Sequence, residues 1–74
     1  MPKKIRELKS LLLKAGFFYQ PAKGSHSKWI HPKLNKAIMM AGKDSSDAKF
    51  YLEKQVNEAL ELLRRIEDEE QGKD

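Results

Sequence analysis

Apolar residues recur at helical spacing near the start of the chain. They are separated by three or four positions: Ile5, Leu8, Leu12 and Ala15. This spacing places them on one face of a helix whose opposite side carries lysines. We expect Pro2 in the first helical turn, where a missing N–H costs nothing, and Gly16 just after the last turn.

A second apolar stripe predicts a longer helix in the last third of the chain. Its members are Leu52, Val56, Ala59, Leu63 and Ile66, with Phe50 and Leu60 on its flanks. Residues 44–47 are two Asp and two Ser, which favour the N-cap position of a helix. The apolar pattern ends at Ile66, so we expect residues 67–74 to form a disordered acidic tail.

Three short segments between the helices favour β-strands, over residues 17–20, 26–31 and 37–40. Pro21 marks the end of the first strand or an edge position. Residues 22–25 predict a turn in which Gly24 takes a positive φ. One of Phe17 and Phe18 must face away from the core, and the pattern does not tell which.

The element order is therefore α-β-β-β-α, in a single α+β domain that covers residues 1–66. A three-stranded antiparallel sheet with both helices packed on one face buries every apolar stripe in two layers. The other face of the sheet then stays open to solvent.

Alternation along the second strand decides which side chains lie on the open face. His26, Lys28 and Ile30 share one face, and Ser27, Trp29 and His31 share the other. Trp29 is the largest apolar side chain of the strand, so we expect it to face the helices. That assignment places His26 and Lys28 on the open face.

Charge is distributed unevenly along the 74 residues. Residues 1–43 contain ten Lys or Arg and one acid, Glu7. Residues 1–54 carry a formal charge of +8 and residues 55–74 a charge of −4, which sum to the +4 of the whole chain. A basic body favours a nucleic-acid partner, because cations that neutralise phosphates release bound counterions.

Composition removes several classes of function. The chain has no cysteine, which excludes disulfides and Cys-type zinc or iron–sulfur sites and fits a reducing compartment. No apolar run approaches the roughly 20 residues of a membrane span, and the start of the chain lacks a secretory signal. We therefore expect a cytoplasmic protein that does not enter membranes.

The turn before the second strand carries the residues best suited to phosphate chemistry. RNA cleavage requires a proton to leave the 2′-hydroxyl and a proton to reach the 5′-oxygen, and an imidazole such as that of His26 suits either task. Lys23 and Lys28 are near enough along the chain to hold phosphates. Gly24 permits close approach of the backbone, and Ser25 shapes the turn and is a candidate phosphate contact.

His31 is the other histidine, and we interpret it as a structural residue at the strand end beside Pro32 rather than a second acid/base. His26 and His31 are five residues apart, so alternation places them on opposite faces. That separation and the absence of nearby acidic residues argue against a metal site, and we expect neither a metal nor another cofactor.

The central segment is similar to a known family. Its pattern is a glycine that ends helix one, an aromatic strand, Lys23-Gly24-Ser25-His26, Trp29 three positions after the histidine, and His31-Pro32. This order, together with residues 41–49 before the second helix, resembles the HicA toxins over about residues 3–63. Many HicA toxins carry a Pro and a His after the third strand, and residues 38–42 contain neither.

The resemblance implies a double-stranded-RNA-binding-domain-like fold and an mRNA-cleaving ribonuclease silenced by a HicB-type antitoxin. It also implies that His26 is the functional histidine. Our first hypothesis is a metal-independent endoribonuclease toxin with mRNA as its substrate. The alternatives are a non-catalytic RNA-binding domain of the same fold and a protein-interaction domain whose basic face meets an acidic partner.

Overall fold

A computed structural model describes residues 2–72 of the chain. Along the chain, one helix precedes three strands and a second helix follows them. The elements are α1 (Ile5–Lys14), β1 (Phe18–Pro21), β2 (Ser27–Ile30), β3 (Ile38–Met40) and α2 (Phe50–Gln71). The strands form one antiparallel sheet in the order β1-β2-β3. The α+β class and the α-β-β-β-α order predicted from the sequence are confirmed.

Strand β2 has one buried face and one open face. Ser27 and Trp29 are buried, whereas Lys28 is exposed and Ile30 is half-buried. Trp29 packs into a core that α1, α2 and the sheet share, and it is only 2% exposed. Its indole Nε1–H donates to the buried Ser27 hydroxyl at 2.9 Å, so its one polar atom is satisfied inside the core.

Strand β1 ends at Pro21 and lies at the edge of the sheet, where a residue without an N–H is tolerated. Phe17 precedes the strand and is buried, whereas Phe18 is 64% exposed. The structure therefore decides which of the two phenylalanines faces outward. Tyr19 lies opposite Trp29 with ring centroids 5.4 Å apart, yet it stays exposed at the sheet edge.

The start of α1 differs from the sequence prediction. The helix begins at Ile5, so Pro2 lies before it and not in its first turn. The N–H groups of Ile5 and Arg6 donate to the carbonyls of Ser46 and Asp44 at 2.9 and 3.1 Å. A distant loop thus satisfies donors that have no partner within the helix. Gly16 follows the helix at φ +97°, the left-handed conformation expected there.

The start of α2 also differs from the prediction. None of the four residues at 44–47 caps it, because the helix begins later, at Phe50, after the N-cap residue Lys49. Asp44 and Asp47 instead form ion pairs with Lys9 and Lys4, at 2.7 and 2.6 Å. These pairs tie the loop to α1.

Phe50 does not broaden the apolar stripe of α2, as the sequence had predicted. It is 81% exposed, while Leu52, Val56 and Leu63 are buried. Phe50 is the first residue of the helix and lies two positions before the buried Leu52, so helical geometry places it on the side away from the core.

The end of α2 lies five residues beyond the apolar pattern. Residues 67–71 are helical and not a disordered tail, and Lys73 and Asp74 lie outside the described residues. Lys33, from the loop after β2, bonds Glu70 at 2.6 Å and lies 3.7 Å from Glu67. The hydrogen bond to Glu70 raises the pKa of Lys33. These contacts hold the acidic end of α2 against the loop.

Between residues 2 and 72, no helix has the length and apolar character needed to cross a membrane.

Candidate active site and RNA-binding surface

The turn between β1 and β2 is closed by backbone hydrogen bonds around His26. The His26 N–H donates to the Lys23 carbonyl at 3.2 Å, and the His26 carbonyl accepts from the Ala22 N–H at 3.2 Å. Gly24 adopts φ +65°, as predicted, a value that glycine reaches without steric cost. No atom of another segment lies within 4 Å of the position that a Gly24 side chain would occupy. The tip of the turn is therefore open to a ligand.

The imidazole of His26 is held by the same turn. Its Nδ1 lies 3.0 Å from the Lys23 carbonyl oxygen, which also accepts the His26 backbone N–H. Since a carbonyl oxygen only accepts hydrogen bonds, Nδ1 carries the proton in this contact. The neutral ring then has its lone pair on Nε2. His26 is exposed, so Nε2 can exchange a proton with a bound molecule.

Cationic side chains flank His26 on both sides along the chain. Lys23 and Lys28 are exposed, and neither takes part in an ion pair among the described residues. Lys28 lies on the open face of the sheet, between Gln20 on β1 and Met39 on β3. Their charges are available to phosphates, since no carboxylate between residues 2 and 72 pairs with either one.

The structure brings four of the five predicted site residues together in one turn. Residues 23–26 are consecutive and exposed, and Lys28 follows two positions after His26. The exposed, buried, exposed, buried order from His26 to Trp29 extends the strand alternation back to His26. His26 and Lys28 therefore lie on the same side of the sheet, as the alternation predicted.

His31 is in a different environment. It is 5% exposed, its Nδ1 accepts the Lys33 N–H at 3.0 Å, and its Nε2 lies 3.2 Å from the Ala15 carbonyl oxygen. An acceptor at Nδ1 and a donor at Nε2 describe one neutral tautomer with both nitrogens occupied. The ring also packs edge-on against Phe17. This environment agrees with the structural role inferred for His31 and leaves it no free nitrogen for catalysis.

Acidic groups do not gather at this site. Over residues 2–72, no three or more His, Cys, Asp or Glu side chains are placed to share a metal ion.

Sequence reasoning did not single out Gln20 and Met39, which flank Lys28 across the sheet. Only the strand register identifies them, because neither residue has a chemical signature of its own.

Comparison with known proteins decides the family. Residues 5–66 match the sequence model of a family described as the HicA toxin of bacterial toxin-antitoxin. The chain belongs to the HicA toxin family. HicA proteins are the toxin members of toxin–antitoxin systems, in which each toxin is paired with an antitoxin. Searches of curated proteins and of solved structures found no significant match.

The HicA match covers both helices up to Ile66 and all three strands. It therefore includes the turn with His26 and the open face of the sheet, and it leaves out the last acidic residues of α2. Family membership supports toxin function for the chain as a whole.

Proposed function

We propose that this HicA toxin is a metal-independent endoribonuclease that cleaves mRNA, with His26 as its general acid/base. The observation that carries the proposal is the hydrogen bond from His26 Nδ1 to the Lys23 carbonyl, which leaves Nε2 as the exchangeable nitrogen. A ring held in one tautomer presents either a base or, once protonated, an acid at the same position.

The reaction that fits this site is internal transfer at phosphorus. The 2′-oxygen loses its proton and bonds to phosphorus, the bond from phosphorus to the 5′-oxygen breaks, and the 5′-oxygen gains a proton. The products are a 2′,3′-cyclic phosphate and a 5′-hydroxyl. Nε2 of His26 performs one of the two proton transfers, and water performs the other.

The remaining residues of the turn bind and position the phosphates in this proposal. Lys23 and Lys28 neutralise phosphates on either side of the scissile bond. Gly24 and Ser25 form the exposed tip, where backbone and hydroxyl groups are within reach of the phosphate oxygens. No step requires a metal ion.

A cleavage assay on unpaired RNA tests the role of His26. His26→Ala should reduce the rate by roughly 10²- to 10⁴-fold, the usual contribution of a general acid/base. His26→Asn is the matched control for geometry, because its amide can still donate to the Lys23 carbonyl but transfers no proton. We expect it to be as inactive as His26→Ala. Undiminished cleavage by either folded variant would remove His26 from the mechanism.

The same assay separates cleavage from RNA binding alone. Substrate with a 2′-deoxyribose at the scissile position should bind and remain intact. If the wild-type protein binds RNA of many sequences and cleaves none, the non-catalytic RNA-binding alternative is correct. The basic charge of the chain suits RNA binding under either function, so binding by itself does not distinguish the two.

We further propose that the partner is an acidic HicB-type antitoxin that covers His26 and the open face of the sheet. Charge steering should make association faster at low salt than at high salt. Lys23→Glu combined with Lys28→Glu should weaken both antitoxin capture and RNA binding. Lys54→Glu, an exposed change on α2, is the control. Purification from the native host that recovers RNA but no small stoichiometric partner would contradict this proposal.

A further inference from the structure

The open face of the sheet presents a defined group of side chains. The strand register places five of them on this face: Phe18, Gln20, Lys28, Ile30 and Met39. Phe18 lies opposite Ile30, and Lys28 lies between Gln20 and Met39. We call this group the open-face cluster. It contains one cation, one amide, three apolar side chains and no acid.

Phe18 is the most unusual member of the open-face cluster. It is 64% exposed, and Met39 is 47% exposed, although both are large apolar side chains. Both helices pack on the opposite face, so no described helix covers these residues. Apolar side chains grouped on an exposed surface with a cation at their centre are typical of a binding site.

Charge and side-chain chemistry indicate what binds there. Lys28 is unpaired among the described residues and suits a phosphate. A flat aromatic ring suits the face of a nucleobase, and stacking of bases on aromatic residues of an open sheet is a recurrent mode of RNA recognition. The amide of Gln20 adds donors and an acceptor beside them.

We propose that the open-face cluster docks an unpaired segment of RNA, with one base stacked on Phe18. The proposal rests on the proposed function in one respect, since it takes the RNA at His26 to continue along this face. In a paired A-form helix the bases are stacked on one another and their faces are not accessible to a side chain. The occupant must therefore be unpaired.

The position of Phe18 relative to His26 gives the stacked base a particular role. Phe18 lies opposite Ile30. Ile30 is four residues after His26, a separation of about 13 Å at the rise of an extended strand. The stacked base is thus not at the scissile phosphate but flanks it. Phe18 selects RNA in which the nucleotides beside the scissile phosphate are unpaired. Lys28 holds a phosphate between the scissile position and the stacked base.

Binding measurements in a cleavage-silent background test this directly. All variants carry His26→Asn, and the probe is a fluorescein-labelled, mixed-sequence oligoribonucleotide, used unpaired and as a duplex with its complement. Phe18→Ala should weaken binding of the unpaired probe by roughly 5- to 150-fold, the effect of removing one stacking platform. Phe18→Tyr should bind as the parent does. Phe50→Ala removes a phenylalanine of α2 that is even more exposed than Phe18, and it should have no effect.

Fluorescence gives a second readout that does not depend on the stability of Phe18→Ala. Phe18→Trp places an indole on the open face, whereas the native Trp29 is buried and shielded from a bound base. The unpaired probe should quench the emission of Phe18→Trp and leave the emission of the parent protein unchanged. The duplex should quench neither.

Three outcomes would overturn the proposal. They are unchanged affinity of a folded Phe18→Ala variant, equal binding of the duplex with the same dependence on Phe18, and no binding of the unpaired probe, which would assign the face to a protein partner. Cleavage by the protein with native His26 is measured separately. A failure of stacking is therefore distinguishable from a failure of the ribonuclease mechanism.

Discussion

The two faces of β2 and of the residues that flank it differ sharply in burial. His26 and Lys28 lie on the exposed side, whereas Trp29 and His31 lie on the buried side. The two histidines differ in how their ring nitrogens are bonded. His26 has a single ring nitrogen in a protein hydrogen bond, and His31 has both. Of the two histidine rings, that of His26 alone keeps a nitrogen without a hydrogen bond to the described residues.

The largest effect on stability should come from the buried face. Trp29→Ala removes the main aromatic side chain of the core and leaves the Ser27 hydroxyl without its partner, at a cost of roughly 3–5 kcal/mol in unfolding free energy. Lys28→Ala, one residue away on the open face, should change stability by less than about 0.5 kcal/mol. Chemical denaturation measures both. Equal stability of the two variants would contradict the burial of Trp29 in the core.

Substitution of the two histidines should affect stability to different extents in the same denaturation experiment. His31→Ala leaves the Ala15 carbonyl and the Lys33 N–H unpaired and opens space beside Phe17, so we expect a loss of about 2–4 kcal/mol. His26→Ala should lower stability by about 1 kcal/mol or less. Cleavage activity per folded molecule should follow the opposite order. An active-site loss in a fully folded His31→Ala variant would assign His31 a catalytic part.

A smaller effect is expected at Gly24. Adding a Cβ meets no atom of another segment, so the cost of Gly24→Ala is the positive φ alone, about 1 kcal/mol. The altered turn should also reduce cleavage, because the Lys23 carbonyl would no longer hold the ring of His26. Chemical synthesis with D-alanine at this position supplies the same Cβ at a compatible φ. D-alanine should restore both properties, and failure to do so would show that the glycine has another role.

The smallest expected effect is that of a chelator. RNA cleavage should persist in excess EDTA, because the described residues of the open face include no carboxylate that would hold a catalytic ion. Activity that is lost in EDTA and restored by magnesium or zinc would contradict the proposed mechanism. Heat-inactivated protein, tested in parallel, measures cleavage by contaminating nucleases.

The features predictable from the sequence are those that depend on periodicity. Strand alternation placed Trp29 in the core and His26 on the open side, and the glycine at position 16 marked the end of α1. The acids at positions 44 and 47 were misread because their partners, Lys9 and Lys4, are distant in sequence. Local N-cap preference does not include such partners.

The candidate site was predictable in its residues but not in its geometry. A histidine after a glycine-containing turn indicated proton chemistry, yet its tautomer depends on a hydrogen bond to a backbone carbonyl. The open-face cluster depends on the register between strands, which places Phe18 opposite Ile30 and Gln20 opposite Lys28. Register follows from the folded sheet as a whole and not from any one segment.

The loop that satisfies the first N–H groups of α1 has a consequence for biosynthesis. Within the domain, helix α1 leaves the ribosome before the strands and α2, but the carbonyls that complete its start belong to Ser46 and Asp44. Until those residues emerge, water is the partner of these leading donors, and the helix has no complete sheet against which to pack. The first element of the domain is therefore among the last to be completed. The hairpin that carries His26 gains its support only when translation has nearly reached the end of the domain.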